Sequence, residues 1–144
     1  MKSTTGQRAH TLIAVALTVW AVGCRRDPNT AYARMLEHAA SWSAAVQFTN
    51  ELARSGHVPR TYVHDVLSTA AEEFAAVRKQ ILEADEIPRA ERDDAAAACE
   101  RLASLVADAD RAKTMADDNA LREVEMRLRE TAVRARSGAV TLRQ

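Results

Sequence analysis

Lys113-Thr114-Met115-Ala116-Asp117-Asp118-Asn119-Ala120-Leu121 is the stretch that decides how many helices this chain forms. It contains no Gly or Pro, so breaker residues alone would let one helix of about 50 residues run through it. The apolar period argues otherwise. Upstream, Ala95, Cys99, Leu102, Val106 and Ala109 recur by alternating fours and threes, the spacing of one helical face. Continued past Ala109, that face would carry Lys113, Ala116, Ala120, Glu123 and Arg127, whereas the apolar residues fall at Leu121, Val124 and Leu128. The register slips at Thr114, Asp117, Asp118 and Asn119; Asp and Asn are favoured as helix caps and turn residues. The reading is a turn, separating a third helix over about 88–113 from a fourth over about 118–137. The fourth carries Leu121, Val124, Leu128, Thr131 and Ala135 on its apolar face, and Gly138 is expected to terminate it.

Working toward the N-terminus, Pro88 suits the first position of the third helix, with Asp85 and Glu86 in the turn before it. Glu91, Asp93 and Asp94 sit where the positive end of the helix dipole favours acids. A second helix opens at Pro59 and runs to about 83, with Val63, Leu67, Ala70, Phe74, Val77 and Ile81 as its seam. Ser55-Gly56 closes the helix before it, because glycine accepts the left-handed backbone that ends a helix. That first helix, about 30–54, places Tyr32, Met35, Ala39, Trp42, Val46, Thr49 and Ala53 on one seam. Ala45, Phe48 and Leu52 are expected to widen it on one side. Asp27-Pro28 reads as a cap followed by a first-turn proline. The fold class is all-α: an up-down-up-down four-helix bundle over residues 30–138, with a short C-terminal tail at 139–144.

Ahead of the bundle lies Thr11-Leu-Ile-Ala-Val-Ala-Leu-Thr-Val-Trp-Ala-Val-Gly-Cys24, uncharged, preceded by Lys2 and Arg8 and followed by Arg25-Arg26-Asp27. Thr11 to Val22 would make a helix only about 18 Å long, short of the roughly 30 Å hydrocarbon core. A basic start, a short apolar core and a small-residue site read together as a secretory signal peptide, here a helix within residues 1–23. Its end, Ala21-Val22-Gly23-Cys24, resembles the lipobox of bacterial lipoprotein precursors. That resemblance implies cleavage after Gly23 and a diacylglycerol thioether, usually with a further acyl chain, on Cys24. Residues 24–29 then form the lipidated N-terminus and a short tether. The family prefers Leu where this chain has Ala21, and Ala21-Val22-Gly23 also fits an A-x-A-like site for ordinary signal peptidase. Arg25 rather than Asp after the Cys implies, by the same resemblance, sorting to the outer membrane where the host has one. Two acyl chains anchor stably, whereas one binds only marginally.

Without residues 1–23 the chain keeps 121 residues, enough for one compact domain. Aromatic residues make up only 4% of the sequence and there are three prolines, a balance that favours helix over sheet. The mature part holds 18 basic and 20 acidic residues, and such a balance gives no reason to expect nucleic acid as a partner. Charge is uneven along it: residues 83–118 carry eleven acids and five bases, residues 119–144 three acids and six bases. Arg122, Arg129, Arg136 and Arg143 recur every seven residues, the first three on one face of the fourth helix. The functional reading of Arg122, Arg129 and Arg136 is a surface for anionic lipid headgroups or an acidic partner. The structural reading pairs Glu123 with Arg127, Glu125 with Arg129 and Glu130 with Arg134 on a solvated face, and has opposite charges drawing the third and fourth helices together.

The sequence lacks the motifs of cofactor chemistry. Covalent haem needs C-x-x-C-H, and Cys99 is followed by Glu100, Arg101 and Leu102. Non-covalent haem needs inward His or Met ligands; Met35 lies on a seam, His38 just off it, and Met126 off its own. Metal-ligand candidates in the mature part are His38, His57 and His64, none of which completes the Glu-x-x-His pattern of di-iron bundles. Cys99, on a seam, reads as a small buried hydrophobe rather than a nucleophile. No Gly-rich phosphate loop, H-E-x-x-H or G-x-S-x-G occurs, nor the L-T-x-x-Q mark of periplasmic stress-sensor helical proteins. The expectation is therefore a lipid-anchored, non-enzymatic envelope module with no catalytic residue and no cofactor beyond the lipid on Cys24, acting on a protein partner. A periplasmic small-ligand, haem or metal binder is the alternative.

Overall fold

The structure, a computed structural model, describes residues 27–141, with side chains through residue 137. The expected signal helix, Gly23, Cys24 and Arg143 lie outside the described residues. Four helices follow one another: α1 (Pro28–Arg54), α2 (Arg60–Leu82), α3 (Arg89–Ala112) and α4 (Asp118–Thr141). Among the described residues there is no strand, and none of these helices is long and apolar enough to cross a membrane. α1 packs closely against α4, and α2 against α3; α1 also meets α2, while α3 and α4 approach one another less closely. The four make one helical bundle around a shared core.

Capping chemistry explains where the helices begin and end. Asp27 takes the amide of Asn29 on one carboxylate oxygen (3.2 Å) and the Thr30 hydroxyl on the other (3.0 Å), with Pro28 just inside. Pro59 and Pro88 sit one residue ahead of the helices they introduce, and their carbonyls accept the first turn's amides. At the end of α1 the amides of Gly56 and His57 reach back to Ala53 and Leu52, with Gly56 at φ +72°, the Schellman closure.

The turn at 113–117 is real and is built in the same way. Lys113 and Thr114 donate to the carbonyls of Asp110 and Ala109, and Lys113 occupies the left-handed position at φ 53°. Asp117 then caps α4 by accepting from the amides of Asn119 (2.9 Å) and Ala120 (3.2 Å). Gly138 does not end α4, which continues to Thr141. Glycine permits a left-handed exit but does not impose one, and no proline follows to forbid another turn.

The seams of α2 and α3 lie where their period puts them: Leu67, Ala70, Phe74, Val77 and Ile81, then Ala95, Cys99, Leu102, Val106 and Ala109, are all buried, with Val63 half-buried. Leu121, Val124 and Leu128 are buried in α4, joined by Ala132, while Thr131 and Ala135 are half-buried. In α1 the seam widens on the opposite side to the one expected. Ala33, Leu36, Ala40, Ser43 and Asn50 are buried, whereas Ala45 is exposed and Phe48 is 60% exposed. That side starts with the apolar Ala33, Leu36 and Ala40 and is carried on by Ser43 and Asn50, which hydrogen-bond to α4 where the apolar period lapses.

Candidate interaction surface

α4 shows a regular pattern on its outer side. Arg122, Met126, Arg129, Val133 and Arg136 succeed one another at intervals of four, three, four and three, which keeps all five on one face. All are exposed; Met126 keeps 55% and Val133 62% of its surface open, so neither belongs to the core. The core side of the helix is filled by Leu121, Val124, Leu128 and Ala132 instead. The arginines were legible as a seven-residue recurrence. The apolar residues between them were not, because Met126 and Val133 count only as residues off the seam.

The arginines are held to different degrees. Arg129 Nε donates to Glu125 Oε1 at 2.9 Å, as expected for a pair one turn apart. Arg136 crosses to α1 and donates to Glu37 Oε2 at 2.6 Å. Arg122 makes no hydrogen bond or ion pair among the described residues. The other two expected pairs do not form. Glu123 faces Arg101 of α3 at 3.7 Å, and Arg134 donates to the Thr131 hydroxyl. In that Arg101–Glu123 contact the acid stands on α4 and the base on α3, the reverse of the two helices' net charges. Local geometry, rather than the charge total of each helix, chooses the partners.

The three candidate histidines of the mature part are dispersed. His38 on α1 contacts Glu73 of α2 (2.9 Å), His57 contacts the Ser55 hydroxyl (2.6 Å), and His64 on α2 contacts Asp110 of α3 (2.6 Å). Asp110 holds the His64 pKa above its ordinary value of 6.5, first through the hydrogen bond and then through charge. Among the described residues, no three His, Cys, Asp or Glu side chains gather closely enough to hold a metal ion. Cys99 is fully buried, and burial pushes its thiol up to about 12, the opposite of the depressed value a nucleophilic thiolate needs.

A cleft of about 370 Å³ opens at the start of α1, between Pro28, Tyr32 and Met35 on one wall and Glu83 and Glu86 on the other. The Tyr32 ring is buried and its hydroxyl donates to the Glu91 carbonyl at 3.1 Å. Burial, reinforced by Glu91 and Asp94, raises the phenol to about 12. Met35 is thus half-buried at the edge of a cleft walled by two acids, and His38 one turn on faces α2 instead. No family model, curated protein or solved structure matches this chain.

Proposed function

We propose that this chain is a lipid-anchored helical module of the cell envelope, which acts by presenting its bundle surface to a protein partner or by modulating a larger complex rather than by catalysis. The observation that carries this reading is adjacency. The lipobox-like Ala21-Val22-Gly23-Cys24 is separated from the Asp27 cap of α1 by Arg25 and Arg26 alone. A lipid on Cys24 would therefore hold a folded domain close against a bilayer, at the outer membrane where the host has one, facing the periplasm or the exterior. We read the helices as alternating up and down. Support comes from the short connections at 55–59, 83–88 and 113–117, and from the two ends of the α1–α4 pair: Glu37 meets Arg136, whereas Asn50 and Arg54 meet Asp118.

The test is mass spectrometry of the native chain recovered after in vivo crosslinking. The expected product begins at Cys24, carries the diacylglyceryl and acyl mass, and is joined to a second envelope protein. A product beginning at Cys24 with a plain thiol would remove the anchor; robust turnover by the isolated protein would remove the non-catalytic reading. The small-ligand alternative draws on the cleft beside Met35, whose volume lies at the low end for ligand sites. A purified protein with no Soret band, no bound metal and no thermal shift on adding metals would dispose of it.

A further inference from the structure

The outer face of α4 alternates cationic and apolar side chains along about 21 Å from Arg122 to Arg136. We propose that this face docks on the anionic phospholipid headgroups of the bilayer that holds the chain, with Met126 and Val133 entering the interface between arginine-bound phosphates. The inference rests on the Cys24 anchor proposed above and adds the surface that the anchored domain turns to the membrane.

Three observations carry it. First, charge and apolarity are interleaved rather than segregated. Basic residues flanking exposed apolar ones suit the headgroup boundary, where the guanidinium meets phosphate and the side chain between them leaves water. Second, the arginines keep donors to spare. A guanidinium has five N–H groups, and the carboxylates of Glu125 and Glu37 engage Arg129 and Arg136 through the Nε of one and an Nη of the other, while Arg122 is unengaged. Glu130 borders the face near Val133, and Glu125 and Glu37 pair with two of its arginines, so three carboxylates adjoin the three arginines; Arg134, also beside Val133, leaves the surround one charge positive.

Third, the reach is right. Three residues lie between Cys24 and Pro28, and the four Cα steps span at most about 14 Å when extended. Arg136 lies beside Glu37, in the third turn of α1, so the stripe begins near the end of the bundle from which that tether leaves. The tether keeps the domain at the bilayer yet lets it lie on its side, which would bring this face within a Debye length, about 8 Å at physiological salt, of the headgroups. An acidic protein partner would be drawn by the same charges, but nothing in the tether would bring it to this face.

The experiment uses the lipidated chain reconstituted in vesicles of phosphatidylcholine alone, or with about a third phosphatidylglycerol. Because Cys99 is buried, Val133→Cys can be labelled singly with an environment-sensitive fluorophore, and Ala97→Cys, on an exposed position of α3, serves as the control. The expected result is a blue-shifted, quencher-protected probe at 133 on the phosphatidylglycerol vesicles only, lost in high salt, with the probe at 97 unmoved. Arg122→Gln should weaken the docked state about five-fold, since each surface arginine near an anionic leaflet contributes on the order of a five-fold factor. Arg122 has no partner among the described residues, so that variant should keep the fold, which a thermal melt checks. Vesicle flotation separates the two readings. A chain that fails to float even with phosphatidylcholine lacks the anchor. A chain that floats while its probe at 133 stays wet on anionic vesicles overturns the docking inference alone. A wet probe combined with crosslinks from position 133 to an acidic protein would assign the face to that protein and overturn the lipid assignment.

Discussion

The α2–α3 and α1–α4 pairs are built on different principles. Every buried residue of α2 and α3 is apolar, and their ionic contacts, His64–Asp110 and Arg78–Glu100, lie at the rim. α1 supplies all the buried polar residues found among the described ones, Ser43, Thr49 and Asn50. Two of these leave α1: Ser43 donates to the Leu121 carbonyl (3.1 Å), and Asn50 donates to the Ala116 carbonyl (2.9 Å) and to Asp118 (2.7 Å). Gln47 adds a bond to Glu125 at 2.8 Å. One pair is held by filling space. The other also fixes register, because a serine oxygen can reach a neighbouring helix's carbonyl at one level only.

The sharpest break of that contrast removes bulk from the apolar pair. Phe74 is fully buried, so Phe74→Ala loses both the transfer free energy of the ring and the contacts of the cavity left behind. The expected loss is about 3–5 kcal/mol, read from urea titrations followed by helical circular dichroism. A loss below about 1 kcal/mol would mean that the pair is loosely packed and is not held by filling space.

On the polar side, Asn50→Ala deprives the carbonyl of buried Ala116 of its donor and releases Asp118. The expected cost is about 1–3 kcal/mol, at the lower part of that range because the Asn50 Oδ1 is itself buried without a partner and its loss is a gain. Ser43→Ala should cost less, about 0.5–1.5 kcal/mol, since the Leu121 carbonyl retains the bond of its own helix ladder. Equal losses at the two positions would show that Asn50 does not pin the 113–117 turn.

That turn also bears on what could be read from residues alone. The slip of the apolar period between Ala109 and Leu121 located the break, and the aspartates named its cap, because period and capping are local properties. The seams of α2 and α3 were legible for the same reason: their buried faces are purely apolar. The side on which α1 widens was not, since Ser43 and Asn50 look like surface residues until α4 is beside them. Ile87, buried within the 83–88 connection, and Arg92, which donates to the Leu82 carbonyl and Asp85 there, belong to no periodic face either. Of the α4 surface, the arginines were visible as charge. Its apolar half appeared only when burial showed which Met and Val the core leaves out.

The two Schellman ends sharpen the comparison further, since they share hydrogen bonds but not the residue at the left-handed position. Gly56 adopts it without a side-chain penalty, and Lys113 adopts it at φ 53°. A non-glycine residue there costs roughly 1–2 kcal/mol, partly offset by the roughly 0.5–1 kcal/mol that glycine's freedom in the unfolded chain takes away. Lys113→Gly should therefore stabilise the protein by up to about 1 kcal/mol, and Gly56→Ala should destabilise it by a similar amount, although no atom lies close enough to obstruct the new methyl. A destabilising Lys113→Gly would show that the lysine side chain contributes something at this turn beyond its backbone angle.

The smallest effect concerns the rim of the apolar pair. His64 and Asp110 join α2 to α3 at 2.6 Å with the imidazole exposed to water, so solvent screens what they add. The direction is nevertheless fixed by linkage. Asp110 raises the His64 pKa in the folded chain, so the folded state binds this proton more tightly than the unfolded one. The contribution is fully present below the unfolded value near 6.5 and fades as pH rises through the folded value. An NMR titration of the His64 ring protons should give a midpoint above 6.5 that falls back in Asp110→Asn, leaving a smaller residue of the shift from the charge of adjacent Asp65. Identical midpoints in the two proteins would mean that the contact does not persist in solution, and that at this end the α2–α3 pair owes its alignment to apolar packing.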